Sequence, residues 1–293
     1  MLDFSPILLS DRDRIHRALC AYEGYGCECS FVNLFLWGDQ KVAFVDDMPV
    51  FLGQFYGVRS YPYPAMHPRF PEILDILRQD ARERGIALRF FGLREKDVAF
   101  LNTRYPGQFV CTPLRDTFDY LYEIDRLCEL RGKKLQAKRN HCNRFEAEHP
   151  DYRVVPISRE NLPRCSSFVD RWFGEHVHPE GESRAVYAAL AHFEELRLEG
   201  IFIEVAEEIV AFTMGNCIRE STFNVNFEKA LGSVNGAYAV VNRDFARRIR
   251  ARYPGVRYLN REDDAGEAGL RRAKESYRPD ILLEKYAAVE VSP

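Results

Sequence analysis

The sequence predicts an α/β (α+β) fold made of two similar halves, and three observations predict it. The 293 residues are enough for two domains of about 150 residues each. Segments with the alternating apolar pattern of strands recur between segments with the periodicity of helices. The order of these segments in residues 150–293 recurs, more loosely, in residues 1–125. We therefore expect mixed central sheets flanked by helices.

The second half has the clearer order of elements, β-α-α-β-β-β-α-β-α-β. Its strands are expected at residues 152–157, 201–206, 209–218, 221–228, 256–259 and 281–289. Its helices are expected at residues 158–173, 183–196, 236–252 and 266–276. This is the element order of the GNAT (acyl-CoA N-acyltransferase) fold, so we expect a GNAT-like domain here.

The first half follows the same order with fewer recognisable elements. Its TyrProTyrPro stretch at 61–64 is expected to be irregular, because proline donates no backbone hydrogen bond. The prediction is tandem GNAT-like domains: a first domain over 1–125, a basic linking helix over 126–149, and a second domain over 150–293 that carries the candidate site. A single larger α/β domain is the alternative. The expected strands are 2–9, 41–46, 49–56, 86–91 and 117–124, and the expected helices are 10–22, 30–37, 68–84 and 94–102.

Composition argues against several classes of protein. With a net charge of −3, the chain as a whole is not a polycation of the kind that binds nucleic acid or an anionic membrane through its total charge. No run approaches the roughly 18–20 apolar residues that cross a bilayer. The first residues lack the basic start and cleavage site of a signal peptide, so we expect a cytoplasmic protein. The eight cysteines include no CxxC pair, which favours free thiols over a metal site or disulfides.

The segment between the halves is basic. Residues 126–149 contain seven basic and three acidic side chains. Lys134 and Lys138 are four residues apart and stack on one face of the predicted helix, beside Arg139. Two interpretations stay open: a solvated linker helix, or a basic wall along an anion-binding groove. In the second, residues 133–144 are a candidate contact for an anionic ligand, with Lys138 and Arg139 binding phosphates.

Residues 221–228 form a strand with one polar face. Strict alternation places Asn224, Asn226 and Glu228 together on that face. The strand is expected to be central, so buried polar groups there need partners, at a cost of about 1–3 kcal/mol for each that has none. A substrate cleft supplies such partners; a solvated or internally bonded face is the alternative. Gly236 then begins a helix whose free amides attract anions, although a plain turn explains the glycine equally well.

The most unusual stretch is residues 260–279. Asn260 and Arg261 follow a predicted strand, at the end where active-site groups gather in open α/β sheets. Three adjacent acids, 262–264, repel one another, so at least one is expected to have a perturbed pKa or a basic partner. Lys274 is a candidate partner, and Tyr277 is a candidate general acid. One of the acids 263 and 264 is expected to cap the following helix.

A histidine-containing cluster is a candidate metal site. Glu175, His176, His178 and Glu180 lie close together in sequence, and the two histidines suit one face of a strand. Flanking Gly174 and the proline at 179 favour a loop instead. We therefore expect surface histidines and no metal.

Four segments together resemble one bacterial family, the domain of unknown function 2156. They are SerPheValAsnLeuPheLeuTrp (30–37), LysArgAsnHisCysAsnArgPhe (138–145), AsnPheGluLysAla (226–230) and the 260–279 motif, which begins AsnArgGluAspAspAlaGly and ends SerTyrArgPro. That family is similar to the C-terminal catalytic domain of phosphatidylglycerol lysyltransferase. The resemblance covers nearly the whole chain. It implies a tandem GNAT fold and kinship with enzymes that move an aminoacyl group from tRNA to a lipid or peptide amine or hydroxyl.

These observations lead to one functional hypothesis and one alternative. The hypothesis is an acyl- or aminoacyltransferase that uses acyl-CoA or aminoacyl-tRNA as co-substrate and a small-molecule, lipid or peptide acceptor. Glu228 is the first choice for the general base and Asp263 the second, with Tyr277 as general acid. The expected substrate-binding residues are Asn224, Asn226, Lys138, Arg139, Asn260, Arg261, Gly236 and Lys274. The alternative is a non-catalytic GNAT-fold module that binds tRNA or a small anionic ligand.

Overall fold

The computed structural model describes residues 1–21, 26–37, 39–55, 57–64, 69–176 and 180–291. It contains two mixed sheets flanked by helices. The strands are β1 (Ser5–Pro6), β2 (Lys41–Val45), β3 (Met48–Phe55), β4 (Val58–Pro62), β5 (Arg89–Leu93), β6 (Phe109–Pro113), β7 (Asp119–Glu123), β8 (Arg153–Pro156), β9 (Glu199–Val205), β10 (Glu208–Arg219), β11 (Thr222–Ala230), β12 (Tyr258–Asn260), β13 (Ile281–Leu283) and β14 (Tyr286–Glu290).

The helices agree with most of those expected from the sequence. Predicted elements that reach residues 22, 56 and 68 extend at those points outside the described residues. Within the described ranges, none of the helices combines the length and the apolar run needed to cross a membrane. The helices are α1 (Arg12–Cys20), α2 (Phe31–Leu36), α3 (Phe70–Arg84), α4 (Glu95–Arg104), α5 (Ile124–Glu129), α6 (Gln136–Glu148), α7 (Leu162–Glu175), α8 (Glu180–Ala191), α9 (Ala237–Arg252) and α10 (Ala268–Glu275).

The chain divides into two compact units whose bounds differ from the expected ones. The first unit is Met1–Phe118 together with the chain from Leu283 onward, and the second is Asp119–Leu282. The strand expected at 281–289 is two strands, of which β14 pairs in the first sheet. The strand β7, expected in the first half, pairs in the second sheet. A local pattern identifies a strand, but distant backbone partners decide which sheet it joins.

The first unit has the strand order β1-β2-β3-β4-β5-β14-β6. Strands β4 and β5 are parallel, with Tyr61 opposite Phe90 and Pro62 opposite Phe91. The expectation of irregular structure is therefore wrong for Tyr61 and Pro62. A proline is tolerated there because it lies at the strand's end. The core between this sheet and α3 includes the fully buried ring of Phe70.

The second unit has the strand order β13-β7-β12-β11-β10-β9-β8. Strands β11 and β12 are parallel over three residue pairs, which end with Asn224 opposite Asn260. Strand β12 ends there, whereas β11 continues to Ala230 alongside β10. The two parallel strands thus separate after Asn224. The loop that follows β12 lies beside the remaining residues of β11.

A β-bulge interrupts the pattern of β11. Phe227 pairs with Met214 and Val225 pairs with Gly215, the next residue of β10. Asn226 is therefore the extra residue of the bulge. An extra residue shifts every following side chain to the opposite face of the sheet.

The bulge corrects the predicted polar face. Phe223 packs edge to face on Phe245 of α9, and Glu228 accepts a hydrogen bond from Asn242 of the same helix. Strict alternation would place residues 223 and 228 on opposite faces. The prediction that Glu228 shares a face with Asn224 is therefore wrong, because alternation in the letters does not reveal a bulge.

Candidate functional site

The candidate site lies where β11 and β12 separate, and the carboxyl group of Glu262 is at its centre. Asn224 Nδ2 donates to Glu262 Oε1 at 2.6 Å, and Asn226 Nδ2 donates to the same oxygen at 3.1 Å. Both asparagines are buried, whereas Glu262 is partly buried. The loop after β12 thus brings a carboxyl group against the two amides of β11.

The backbone at Glu262 has a conformation that few residues other than glycine adopt. Its φ is +56°, in the left-handed region. Its N–H donates to Asn260 Oδ1 at 2.7 Å, and its carbonyl accepts from the N–H of Tyr120 at 3.2 Å. Such a conformation costs on the order of 1 kcal/mol and persists only where the surroundings enforce it. Here the surroundings hold the side chain against Asn224 and Asn226.

The electrostatics of this carboxyl group suit proton transfer. Burial raises the pKa of Glu262 to about 8, with a smaller contribution from the negative charges of Asp263 and Asp119. The hydrogen bond from Asn224 and the ammonium of Lys274 act in the opposite direction. A carboxyl with a pKa near the working pH exchanges its proton readily, as a general base must.

The two asparagines also offer acceptor atoms. A carboxylate only accepts hydrogen bonds, so each amide turns its NH₂ toward Glu262 and its oxygen away. The buried Oδ1 atoms of Asn224 and Asn226 have no hydrogen-bond partner among the described residues. A bound group that donates N–H or O–H bonds would satisfy them. Together with the carboxylate, they make this side of the site rich in acceptors.

Glu228 occupies a different position from the one expected of a base. Its Oε1 accepts from Arg261 Nη2 at 2.6 Å, and its Oε2 accepts from Asn242 Nδ2 at 2.9 Å. The side chains of this ion pair are only 10% and 11% exposed. Both carboxylate oxygens are therefore engaged, and the geometry of Glu228 is that of a residue that orients Arg261.

Two cations lie beside the ring of Tyr277. The guanidinium carbon of Arg261 is 4.9 Å from the ring centre, and Lys138 Nζ is 4.2 Å from it. Burial, then the charge of Arg261, lowers the pKa of Lys138, and burial raises the pKa of the Tyr277 phenol. The phenol therefore stays protonated at neutral pH. Arg261 Nη1 is buried and makes no hydrogen bond within the described ranges, so this side of the site is rich in donors.

The rest of the 260–279 motif builds the loop that carries the site. Lys274 Nζ donates to the backbone carbonyl of Arg261 at 2.5 Å and to that of Asp263. Asp264 accepts two bonds from Arg271, at 2.7 and 2.9 Å, and one from the Tyr120 hydroxyl at 2.6 Å. Burial alone would raise the pKa of Asp264, but these bonds lower it to about 2. Lys274 was expected to bind substrate, and the structure places it beneath the loop.

Several other predicted site residues contact the protein itself. Asn260 Nδ2 donates to Asp119 Oδ2 at 2.8 Å, and Asp263 Oδ1 accepts from the N–H of Ala265 at 3.1 Å. Helix α10 begins after Glu267, so neither acid at 263 or 264 caps it. Arg139 Nη1 donates to the carbonyl of Leu130 at 2.6 Å, near the end of α5.

Gly236 has a packing reason for being glycine. Its φ is +83°, and a Cβ built on it would lie 2.5 Å from the carbonyl oxygen of His141 in α6. The glycine therefore lets the start of α9 approach α6. Of the histidine cluster, His176 stacks on Trp172 with ring centres 4.2 Å apart. His178 and the side chain of Glu180 lie outside the described residues.

The sequence did not identify Glu262 or Asn242 as site residues. It did, however, single out the three adjacent acids that include Glu262. The three adjacent acids were expected to include a perturbed pKa, and both Glu262 and Asp264 have one. Nothing in the local letters says which acid is buried. That follows from the left-handed backbone at Glu262 and from the amides of a strand almost forty residues earlier.

Comparisons place the chain among known proteins. The family model described as phosphatidylglycerol lysyltransferase, C-terminal, matches residues 21–289. A conserved protein of unknown function from Bacteroides thetaiotaomicron VPI-5482 is 37% identical, with a TM-score of 0.90 over 99% of this chain and 100% of that one. The domain of unknown function 2156 from a proposed lysylphosphatidylglycerol synthetase of Agrobacterium fabrum is 14% identical, with a TM-score of 0.71 over 96% and 92%.

Two further matches bear on the fold and on length. A GNAT-family acetyltransferase from Colwellia psychrerythraea is 9% identical, with a TM-score of 0.54 over 100% of both chains. An uncharacterized protein of Mycoplasmoides gallisepticum is 26% identical over 175 residues, which are 57% of this chain and 54% of that protein. The chain therefore matches about half the length of this curated relative. The predicted tandem GNAT-like fold is confirmed.

Proposed function

The chain belongs to the phosphatidylglycerol lysyltransferase C-terminal family, and we propose that it transfers an aminoacyl group from tRNA to an amine or hydroxyl acceptor. One observation carries the proposal. The carboxyl group of Glu262, whose pKa burial raises to about 8, is held by the amides of Asn224 and Asn226 at the point where two parallel strands separate.

The two sides of the site match the two ends of an aminoacyl ester. The Oδ1 atoms of Asn224 and Asn226 suit the ammonium or amine of the donor, which donates hydrogen bonds, and the Glu262 carboxylate is left for the acceptor. The Nη1 donor of Arg261, which has no hydrogen-bond partner among the described residues, suits the ester carbonyl or a nearby phosphate. A simple acyl group has no amine, so the acceptor-rich side favours an aminoacyl donor over an acetyl donor.

The proposed reaction balances without a covalent enzyme intermediate. The acceptor's nitrogen or oxygen attacks the ester carbonyl carbon while Glu262 takes its proton. Arg261 stabilises the negative charge that develops on the carbonyl oxygen. The bond between that carbon and the ribose oxygen then breaks, and the ribose oxygen takes the phenol proton of Tyr277. Solvent then removes the proton from Glu262 and reprotonates the Tyr277 phenolate, so both groups return to their starting states. Glu228 takes no proton in this scheme and positions Arg261.

A tRNA donor is supported by the basic segment 133–144 of the same unit. Lys133, Lys134 and Arg144 are exposed, while Lys138 reaches inward to the Tyr277 ring. Exposed cations would bind the phosphate backbone of the tRNA, and Lys138 would bind near its aminoacylated end. Arg139, which bonds to the carbonyl of Leu130, has no part in this path.

The test is a transfer assay with purified protein. Bacterial tRNA charged with labelled amino acids is offered with amine, hydroxyl and lipid acceptors, and labelled acyl-CoA is offered in parallel. Transfer from tRNA that Glu262→Gln abolishes supports the proposal. Transfer from acyl-CoA alone would replace the donor, and tight tRNA binding without turnover on any acceptor would favour a binding module.

The tRNA contact is tested separately by charge reversal. Lys134→Glu is compared with Arg159→Glu, which reverses an exposed charge outside the segment. We expect Lys134→Glu to weaken tRNA binding by roughly tenfold and to lower the salt dependence by about one phosphate contact. Equal effects of the two substitutions, or a binding constant that does not change with salt, would remove tRNA as the donor.

A further inference from the structure

The first unit contains a cavity of its own, and none of the residues assigned above lines it. It encloses about 430 Å³, which lies within the roughly 300–1,000 Å³ of small-molecule sites. Every residue that lines it belongs to the first unit. It lies beside α1 and at the carboxyl ends of β4 and β5, the parallel strands of this sheet. Ligands of open α/β sheets bind beyond such strand ends.

The opening has a cause in the sequence. The backbone N–H of Tyr63, one residue past the end of β4, donates to the carbonyl of Phe91 at 2.8 Å. Pro64 follows and has no N–H with which to continue the pairing. Pro62, Pro64 and Phe91 all line the cavity. The alternating prolines thus end the pairing at the cavity wall.

The lining combines an apolar wall with an excess of cations. Apolar side chains such as Phe51, Phe91 and Leu34 contribute most of it. The charged members among the described residues are four cations, Arg14, Arg17, Arg94 and Lys285, and two carboxylates, Glu28 and Asp47.

Both carboxylates form ion pairs with two of these cations. Arg14 pairs with Asp47 at 3.3 Å, and the buried Lys285 pairs with Glu28 at 2.5 Å. Arg17 has no acidic partner within the part of the chain that the structure describes. Among the described residues, therefore, nothing neutralises the charge of Arg17, and an anion is the group that would do so.

We infer that this cavity is a second ligand site, which binds a small amphipathic anion with its single anionic group at Arg17 and its apolar body against Phe51 and Phe91. The anionic group is a carboxylate or a phosphate ester. The apolar wall excludes a sugar or another fully polar anion, because burying polar groups without hydrogen bonds is costly. The site does not depend on the transfer chemistry proposed for the second unit.

The test uses the fluorescent anion 8-anilinonaphthalene-1-sulfonate and the neutral probe N-phenyl-1-naphthylamine on the whole chain. We expect one anionic probe per chain. Arg17→Gln should weaken binding of the anionic probe by about fivefold, since one exposed charge pair contributes up to roughly 1 kcal/mol, and should leave binding of the neutral probe unchanged. Ala18→Phe, which fills the cavity, should abolish binding of both probes. Arg104→Gln, an exposed position of α4 outside the lining, should change neither.

Displacement then identifies the anionic group. Competition by octanoate supports a carboxylate ligand, and competition by octyl phosphate alone supports a phosphate ester. Unchanged binding of the anionic probe to Arg17→Gln would overturn the inference, and so would binding of either probe to a folded Ala18→Phe variant. Arg17 is exposed, so its substitution is not expected to disturb folding.

Discussion

Asn224 donates a 2.6 Å hydrogen bond to the carboxylate of Glu262, which links the last residue of β11 that pairs with β12 to the loop that follows β12. The bond spans the point at which the two parallel strands separate. It orients the amide oxygen of Asn224 away from the carboxylate, and it holds a carboxyl group whose pKa burial raises to about 8. The geometry and the basicity of the site therefore depend on the same pair of residues.

Glu262→Gln should abolish most transferase activity. We expect kcat/KM to fall by about 10²–10⁴-fold, the usual contribution of a general base. For the wild type, kcat/KM should rise as pH increases through about 8, because the base must be ionised, and Glu262→Gln should lose that rise. Steady-state kinetics over a pH series checks both statements.

The controls for this experiment separate the two candidate carboxylates. Glu267→Gln changes an exposed acid of the same motif and should keep nearly wild-type activity. Glu228→Gln should reduce activity less than Glu262→Gln and should preserve the pH profile, because Glu228 only positions Arg261. A Glu228→Gln variant that loses the pH dependence, beside an active Glu262→Gln, would return the role of base to Glu228.

The same carboxyl group should make stability depend on pH. Its pKa is raised in the folded state from the ordinary 4.5 to about 8, so between these values the folded chain binds more protons than the unfolded chain. This group's contribution to stability is therefore complete below pH 4.5 and declines as pH rises to about 8. Glu262→Gln mimics the protonated form, so its Tm should exceed that of the wild type at pH 9 and match it at pH 4. Thermal unfolding at both pH values measures this, and a pH-independent difference in Tm would contradict it.

Asp264→Asn should destabilise the second unit. Asp264 is fully buried and accepts bonds from Arg271 and Tyr120, so we expect a loss of about 2–4 kcal/mol in urea unfolding. Tyr120→Phe removes one of these bonds and should cost about 1 kcal/mol. Asp151→Asn, at an exposed position, should stay within about 0.5 kcal/mol of the wild type.

The lowered pKa of Asp264 should make the chain less stable to unfolding in acid. Its pKa is lowered in the folded state from 3.8 to about 2, so its contribution is present above pH 3.8 and is lost as pH falls toward 2. Asp264→Asn should remove that part of the pH dependence. If the variant and the wild type lose stability in parallel between pH 4 and pH 2, the ion pair with Arg271 is not the source.

Gly236→Ala should destabilise the chain, and Gly232→Ala should not. At Gly236 a methyl group meets the His141 carbonyl at 2.5 Å and the backbone has a left-handed φ, so we expect a cost of about 2–3 kcal/mol. At Gly232 nothing lies within 4 Å of the added Cβ, and the change should stay within about 0.5 kcal/mol. Denaturant unfolding of the pair decides it; equal stabilities would mean that α6 moves to accept the methyl group.

Sequence patterns were sufficient to predict the tandem architecture, and they pointed to the stretch that carries the candidate site. The 260–279 motif contains Glu262, Asp264 and Lys274, and the polar strand contains Asn224 and Asn226. The roles within that stretch were less predictable. Lys274 bonds to two backbone carbonyls beneath the loop, and Gly236 has a packing contact. A sequence records that a residue is charged or flexible, but not what lies 3 Å from it.

The amino-acid sequence by itself determined the kinds and the order of the elements, because hydrophobic periodicity and turn residues act over a few neighbours. Only the tertiary structure decided which acid is the candidate base. The bulge at Asn226 turned Glu228 toward α9 and Arg261, and the left-handed backbone at Glu262 brought that carboxyl group to Asn224. The physical reason is that desolvation and hydrogen bonding set a pKa, and both come from residues far apart in the chain.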